Sequence, residues 1–112
     1  VAILSIKSYI ILNFWKKEGY SKEATPDYRL LLEPRSLMMF QDTLYTDYFH
    51  GIEERSHDFV SHKSLDQSED RDAVVSNLSY LNEKTLARGE QVGDDLTRLT
   101  RKTRVSLTLR KV

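Results

Sequence analysis

The sequence predicts a mainly β fold with antiparallel sheets, a sandwich or a barrel. Three observations carry that expectation. Short runs rich in β-branched and aromatic residues follow one another through the first half of the chain. Gly, Pro and polar turn residues separate them over connections too short for parallel crossovers. The last run, Thr103 to Val112, alternates polar and apolar residues without a break, which is the period of a half-buried strand.

Val1-Ala2-Ile3-Leu4-Ser5-Ile6 reads as the first strand and Tyr9-Ile10-Ile11-Leu12-Asn13-Phe14-Trp15 as the second, with a tight reversal at Lys7-Ser8. Lys16 to Pro26 is a polar hairpin loop carrying Gly19. Tyr28 to Leu32 is a third strand, stopped by Glu33-Pro34 because proline has no N–H for a ladder. Ser36 to Phe40 is a fourth, and Thr43 to Ile52 delivers a short fifth near Tyr48. From about Glu53 to Thr103 the composition shifts to Asp, Glu, Ser, Lys and Arg. This stretch reads as an insertion, 57–102, because a long structureless loop inside a small domain is uncommon. Within it Ser64 to Asp72 is polar enough to be disordered. Ala73 to Leu86 contains Val74, Val75, Leu78 and Leu81 at the spacing of a short amphipathic helix. The closing strand makes six.

The chain has 112 residues, with Lys+Arg and Asp+Glu balanced at 17 each, so its overall charge gives no argument for a polyanionic partner. It has no cysteine, which excludes disulfides and thiolate sites and fits a reducing compartment, cytoplasmic or nuclear. The opening apolar run is too short and too polar to span a bilayer, so no membrane partner is expected. The chain begins without methionine inside a strand, which reads as a fragment incomplete at its N-terminus.

In the closing strand Arg104, Ser106, Thr108 and Arg110 share one face, and Val105, Leu107 and Leu109 the other. Alternate residues are about 6.6 Å apart, so Arg104 and Ser106 can act on one carboxylate, fork and hydroxyl together. The same pattern also suits an edge strand whose solvated charges block aggregation. His50 offers an imidazole, the commonest metal-binding side chain, although a lone strand histidine more often only hydrogen-bonds. No His-x-Asp, His-Glu-x-x-His, Gly-rich phosphate loop or serine nucleophile elbow is present. Arg98, Arg101 and Lys102 read as solvated surface, with Asp94 and Asp95 just before them.

Leu30 to Leu37, Tyr45-Thr46, His50-Gly51-Ile52 and Thr103 to Val112, in that order, resemble the C-terminal half of AlkB-type iron(II)/2-oxoglutarate dioxygenases. Val1 to Ile6 resembles the strand that follows the family's first iron-binding motif. The resemblance implies a double-stranded β-helix, or jelly roll, with Fe(II) as metal and 2-oxoglutarate and dioxygen as co-substrates. It further implies hydroxylation or oxidative demethylation of a substrate, with nucleic acid or protein the leading classes. His50 matches the second histidine of the metal triad. Arg104 matches the arginine that pairs with the far carboxylate of 2-oxoglutarate, Ser106 its hydrogen-bonding neighbour, and Arg110 a second arginine near the iron-side carboxylate. The family's His-x-Asp pair is absent from this sequence, so this stretch alone is expected to be inactive. Lys7 stands where relatives often carry glycine. The alternative is a non-catalytic β-domain fragment that binds protein or nucleic acid, and a basic stretch from Arg98 to Lys111 would favour nucleic acid.

Overall fold

A computed structural model describes residues 2–5, 7–63, 73–102 and 106–109. Among these residues there are nine strands: β1 (Ala2–Ser5), β2 (Ile10–Lys16), β3 (Tyr28–Leu32), β4 (Ser36–Met39), β5 (Tyr48–Gly51), β6 (His57–Ser61), β7 (Glu90–Gly93), β8 (Leu96–Thr100) and β9 (Ser106–Leu109). Two short helices join them, α1 (Thr43–Thr46) and α2 (Glu83–Ala87). The strands form three antiparallel sheets of order β4-β1-β9, β3-β2-β5 and β6-β8-β7. The chain alternates between the first two sheets as it advances: β1 in one, β2 and β3 in the other, β4 back, β5 across, and β9 back again. That winding is jelly-roll-like, as the resemblance implies.

β2 explains why three layers form. Ile10 to Phe14 are all buried, so neither face of the strand meets water. A continuous apolar run of this kind belongs to a sheet covered on both sides. Ile10, Leu12 and Phe14 join Leu32 and Phe40 in one core, against which Ile3 and Met38 of the first sheet pack. Ile11 belongs to a second core with Tyr9, Leu31, Val60, Val75 and Leu99. The middle sheet is therefore sandwiched between β4-β1-β9 and β6-β8-β7.

The segment 57–102, expected as a polar and partly helical insertion, contains strands beside the short α2. It carries three strands of its own and packs on the outer face of the middle sheet, outside the first sandwich. The helix expected within Ala73 to Leu86 forms only at the end of that range. Val74 and Val75 are buried in irregular chain, Leu78–Tyr80 is a single 3-10 turn, and α2 starts at Glu83. The reason is the free edge of β3. Ser76 N–H donates to the Arg29 carbonyl (2.7 Å), and the Asn77 amide both accepts from Leu31 N–H (3.0 Å) and donates to Leu31 C=O (2.9 Å). The segment completes the ladder of β3, and that satisfies buried edge groups a helix would leave open. Asn82 then caps α2 by accepting from Lys84 N–H. The stretch expected to be disordered, Ser64 to Asp72, lies outside the described residues.

Candidate functional site

β5 sets the position of His50. In the ladder His50 stands opposite Phe14, and directly opposed residues in an antiparallel pair project to the same face. Phe14 is fully buried in the core between the first two sheets. The His50 ring therefore lies on the inner face of the sandwich. Its centroid is 5.1 Å from that of Phe40, nearly edge-on, and 6.1 Å from that of Phe14. The residue remains exposed overall, so the imidazole sits at a rim with aromatic support behind it. Next to it Phe14, Tyr28, Leu30, Leu44 and Tyr48 line a cleft of ≈ 350 Å³. Desolvation, and then the neighbouring Tyr28, raises the pKa of the Tyr48 phenol.

β9 lies in the sheet opposite His50. Its register sets Ser106 across from Ser5 and Thr108 across from Ile3, the residue that packs into the same inter-sheet core. Arg104 and Arg110 lie outside the described residues. His57 and His62 are drawn elsewhere. His57 stands beside the Ser56 hydroxyl (3.1 Å) and the Phe59 ring, and His62 Nε2 is 2.6 Å from Thr97 Oγ1. Among the described residues no group of three or more His, Asp or Glu converges to hold a metal. His50 stands apart from any such group.

The strongest electrostatic feature is one that sequence reasoning missed. Asp58 on β6 is buried at 1% exposure. Its carboxylate accepts from Arg101 Nε (2.6 Å) and Nη2 (2.8 Å), a bidentate pair. The Tyr9 hydroxyl reaches both Asp58 Oδ2 (2.9 Å) and the Leu99 carbonyl (2.7 Å). Burial first, and the Asp58 charge second, push the Tyr9 phenol above its ordinary range, while the bond to Asp58 raises Arg101. Arg101 is thus no solvated residue, correcting the sequence reading, because the only buried carboxylate of the third sheet requires it. Arg98 is ion-paired with Glu90, and Lys102 is exposed. The one local hint was Asp58 alternating with Val60 on the same face of β6.

The turn at Lys7 forms without glycine. Among the described residues only Arg35 and Asp42 combine a side chain with positive φ, so the Lys7 backbone needs no left-handed conformation. No helix among the described residues is long and apolar enough to cross a membrane.

Comparison with known proteins finds a similarity to one AlkB-type protein over part of that protein's length. Over an alignment of 119 positions that takes in all of this chain, it is 30% identical to a Danio rerio protein named "Probable RNA/DNA demethylase ALKBH6". It spans 42% of that protein's length. No family model and no solved structure matches the chain.

Proposed function

We propose that this chain is the C-terminal part of an AlkB-type iron(II)- and 2-oxoglutarate-dependent dioxygenase domain, with the sixth animal homologue among its relatives. Its substrate class is nucleic acid, as the relative's name suggests, with protein the second choice. The cytoplasm and nucleus, where such substrates are met, belong to the same proposal. The observation that supports the reading most is a juxtaposition. The two sheets of the sandwich bring His50 of β5 onto the inner face, opposite the sheet that holds β9. In this reading His50 is the metal ligand, its ring held by Phe14 and Phe40. Arg104 forks the far carboxylate of 2-oxoglutarate, Ser106 donates to the same group, and Arg110 serves the carboxylate at the other end. Bound iron would supply the dioxygen chemistry; the protein binds and orients.

The test is calorimetric titration of 2-oxoglutarate into the full-length protein loaded with a redox-inert divalent metal. Losing one charge-assisted pair costs about 1.5–3 kcal/mol, so Arg104→Ala is expected to weaken binding roughly 10- to 100-fold. Unchanged affinity in that variant overturns the assignment of the β9 strand.

A further inference from the structure

At the end of β2 remote from Phe14 and His50, the β1–β2 turn meets α2, β7 and β8. Between them opens a cleft of ≈ 440 Å³. Lys7, Arg88, Arg98 and Lys102 line it, and its one carboxylate, Glu90, is already ion-paired with Arg98. Lys7, Arg88 and Lys102 have no acidic partner in an ion pair among the described residues. The nearby carboxylate of Glu33 is taken up by Asn82 N–H and the Thr85 hydroxyl. Among the described residues, three cations without an ion-pair partner therefore line one concavity, in a chain whose total charge is zero.

That concentration is not a by-product of basic composition. The cations come from three separate places, the β1–β2 turn, the end of α2 and the chain after β8, and only the fold brings them together. Like charges gathered without counter-charge oppose folding and attract an anion. Ser8 and Thr100 add hydroxyls to the lining, while Tyr9 and Leu99 form an apolar wall. The volume falls in the range of about 300–1,000 Å³ typical of ligand sites. Exposed lysine and arginine around a small concave floor suit phosphate oxygens, which accept from point charges and hydroxyls alike.

We propose that this cleft binds backbone phosphates of a nucleic-acid strand whose reacting portion lies at the His50 hollow. The five steps from Tyr9 to Phe14 span about 16 Å, so the cleft would grip the strand beyond the nucleotide that reacts. The inference rests on the nucleic-acid reading above and adds a second, sequence-independent contact to it. Such contacts position a strand without reading its bases.

The experiment measures fluorescence anisotropy of a labelled single-stranded oligonucleotide with the full-length protein across a salt series. For single strands the slope of log K against log salt is about −0.7 per phosphate neutralised, so Lys7→Gln/Arg88→Gln/Lys102→Gln is expected to flatten it by about 2. Affinity near 0.1 M salt should fall roughly tenfold or more. A control variant, Lys17→Gln/Lys22→Gln, changes exposed lysines of the β2–β3 loop away from the cleft and should keep slope and affinity. Tight wild-type binding with an unchanged triple variant overturns the cleft and leaves the nucleic-acid reading standing. An equal loss in the control overturns it too, since general surface charge would then suffice. Absence of oligonucleotide binding by the wild type overturns both. The 2-oxoglutarate titration of the Arg104 variant still judges the enzyme class separately.

Discussion

Replacing Asp58 by alanine strands a guanidinium. Arg101 is 13% exposed in its side chain and holds Asp58 through two short bonds, while Tyr9 adds a third contact to the same carboxylate. Taking away one member of a buried pair leaves the other charge desolvated and unpaired, at a cost of about 3–5 kcal/mol. That is a large share of a domain stability of roughly 5–15 kcal/mol. With a urea slope near 2 kcal/mol/M, the midpoint should drop by about 2 M. Removing both charges is the sharper test. Asp58→Leu/Arg101→Met buries apolar groups where the pair stood, and such replacements are often neutral or better. The double variant should therefore recover most of the loss, and the coupling energy follows from the cycle of the two single variants and the double. The assay is equilibrium urea unfolding of the full-length protein at neutral pH, followed by fluorescence. A shift smaller than about 0.5 M for Asp58→Ala, or a double variant less stable than either single one, would refute the claim that this pair holds the third sheet.

Two further outcomes test the same region. Tyr9 has a folded pKa raised by burial and by Asp58, so its contribution is complete below about pH 10, where the unfolded phenol begins to ionise, and is lost as pH rises through the folded value. Thermal unfolding between about pH 9 and 11 should show a steeper alkaline loss for the wild type than for Tyr9→Phe; parallel profiles would count against it. Gly89 presses on β8, where a Cβ would come within 2.7 Å of the Arg98 carbonyl and 2.5 Å of Thr97 Cγ2. Gly89→Ala should cost about 1–3 kcal/mol by urea midpoint, and an unaffected midpoint would show that the α2–β7 connection yields.

The parts of the fold legible in the sequence are those whose partners lie close along the chain. β2 announces itself because a run with both faces buried is apolar throughout. β3 and β4 are bounded by Pro34, and Arg35 beyond it takes the left-handed conformation of a tight turn. The third sheet was hidden by its composition. β6 buries Asp58 and Ser61 beside Val60, and β8 buries Thr97 beside Leu99, so neither strand alternates apolar with polar. Their polar atoms are satisfied by residues far away, Asp58 by Tyr9 and Arg101, and Thr97 by His62. Such pairings leave no local signal. The candidate site divides in the same way. His50 was marked by resemblance, but its orientation depends on the β2–β5 register, which one sequence does not fix. The cationic cleft draws on segments whose proximity only the tertiary fold creates.

The alternation of β2 also separates two kinds of perturbation. Its even positions, Ile10, Leu12 and Phe14, face the core that carries His50, and Ile11 faces the core of the third sheet. A strand shared by two cores could pass strain from one to the other, because closely packed interiors respond to small volume changes. The Asp58 network, however, reaches the middle sheet through Tyr9, just before β2 begins and at the end remote from Phe14. Its loss should lower the stability of the whole without moving the ring against which His50 rests. Substitution at Arg104 should do the reverse, weakening 2-oxoglutarate while leaving the urea midpoint in place. If the Asp58 variants, measured where they are folded, lose 2-oxoglutarate affinity as steeply as stability, then the two faces of β2 act as one unit, and the third sheet must be counted as part of the site.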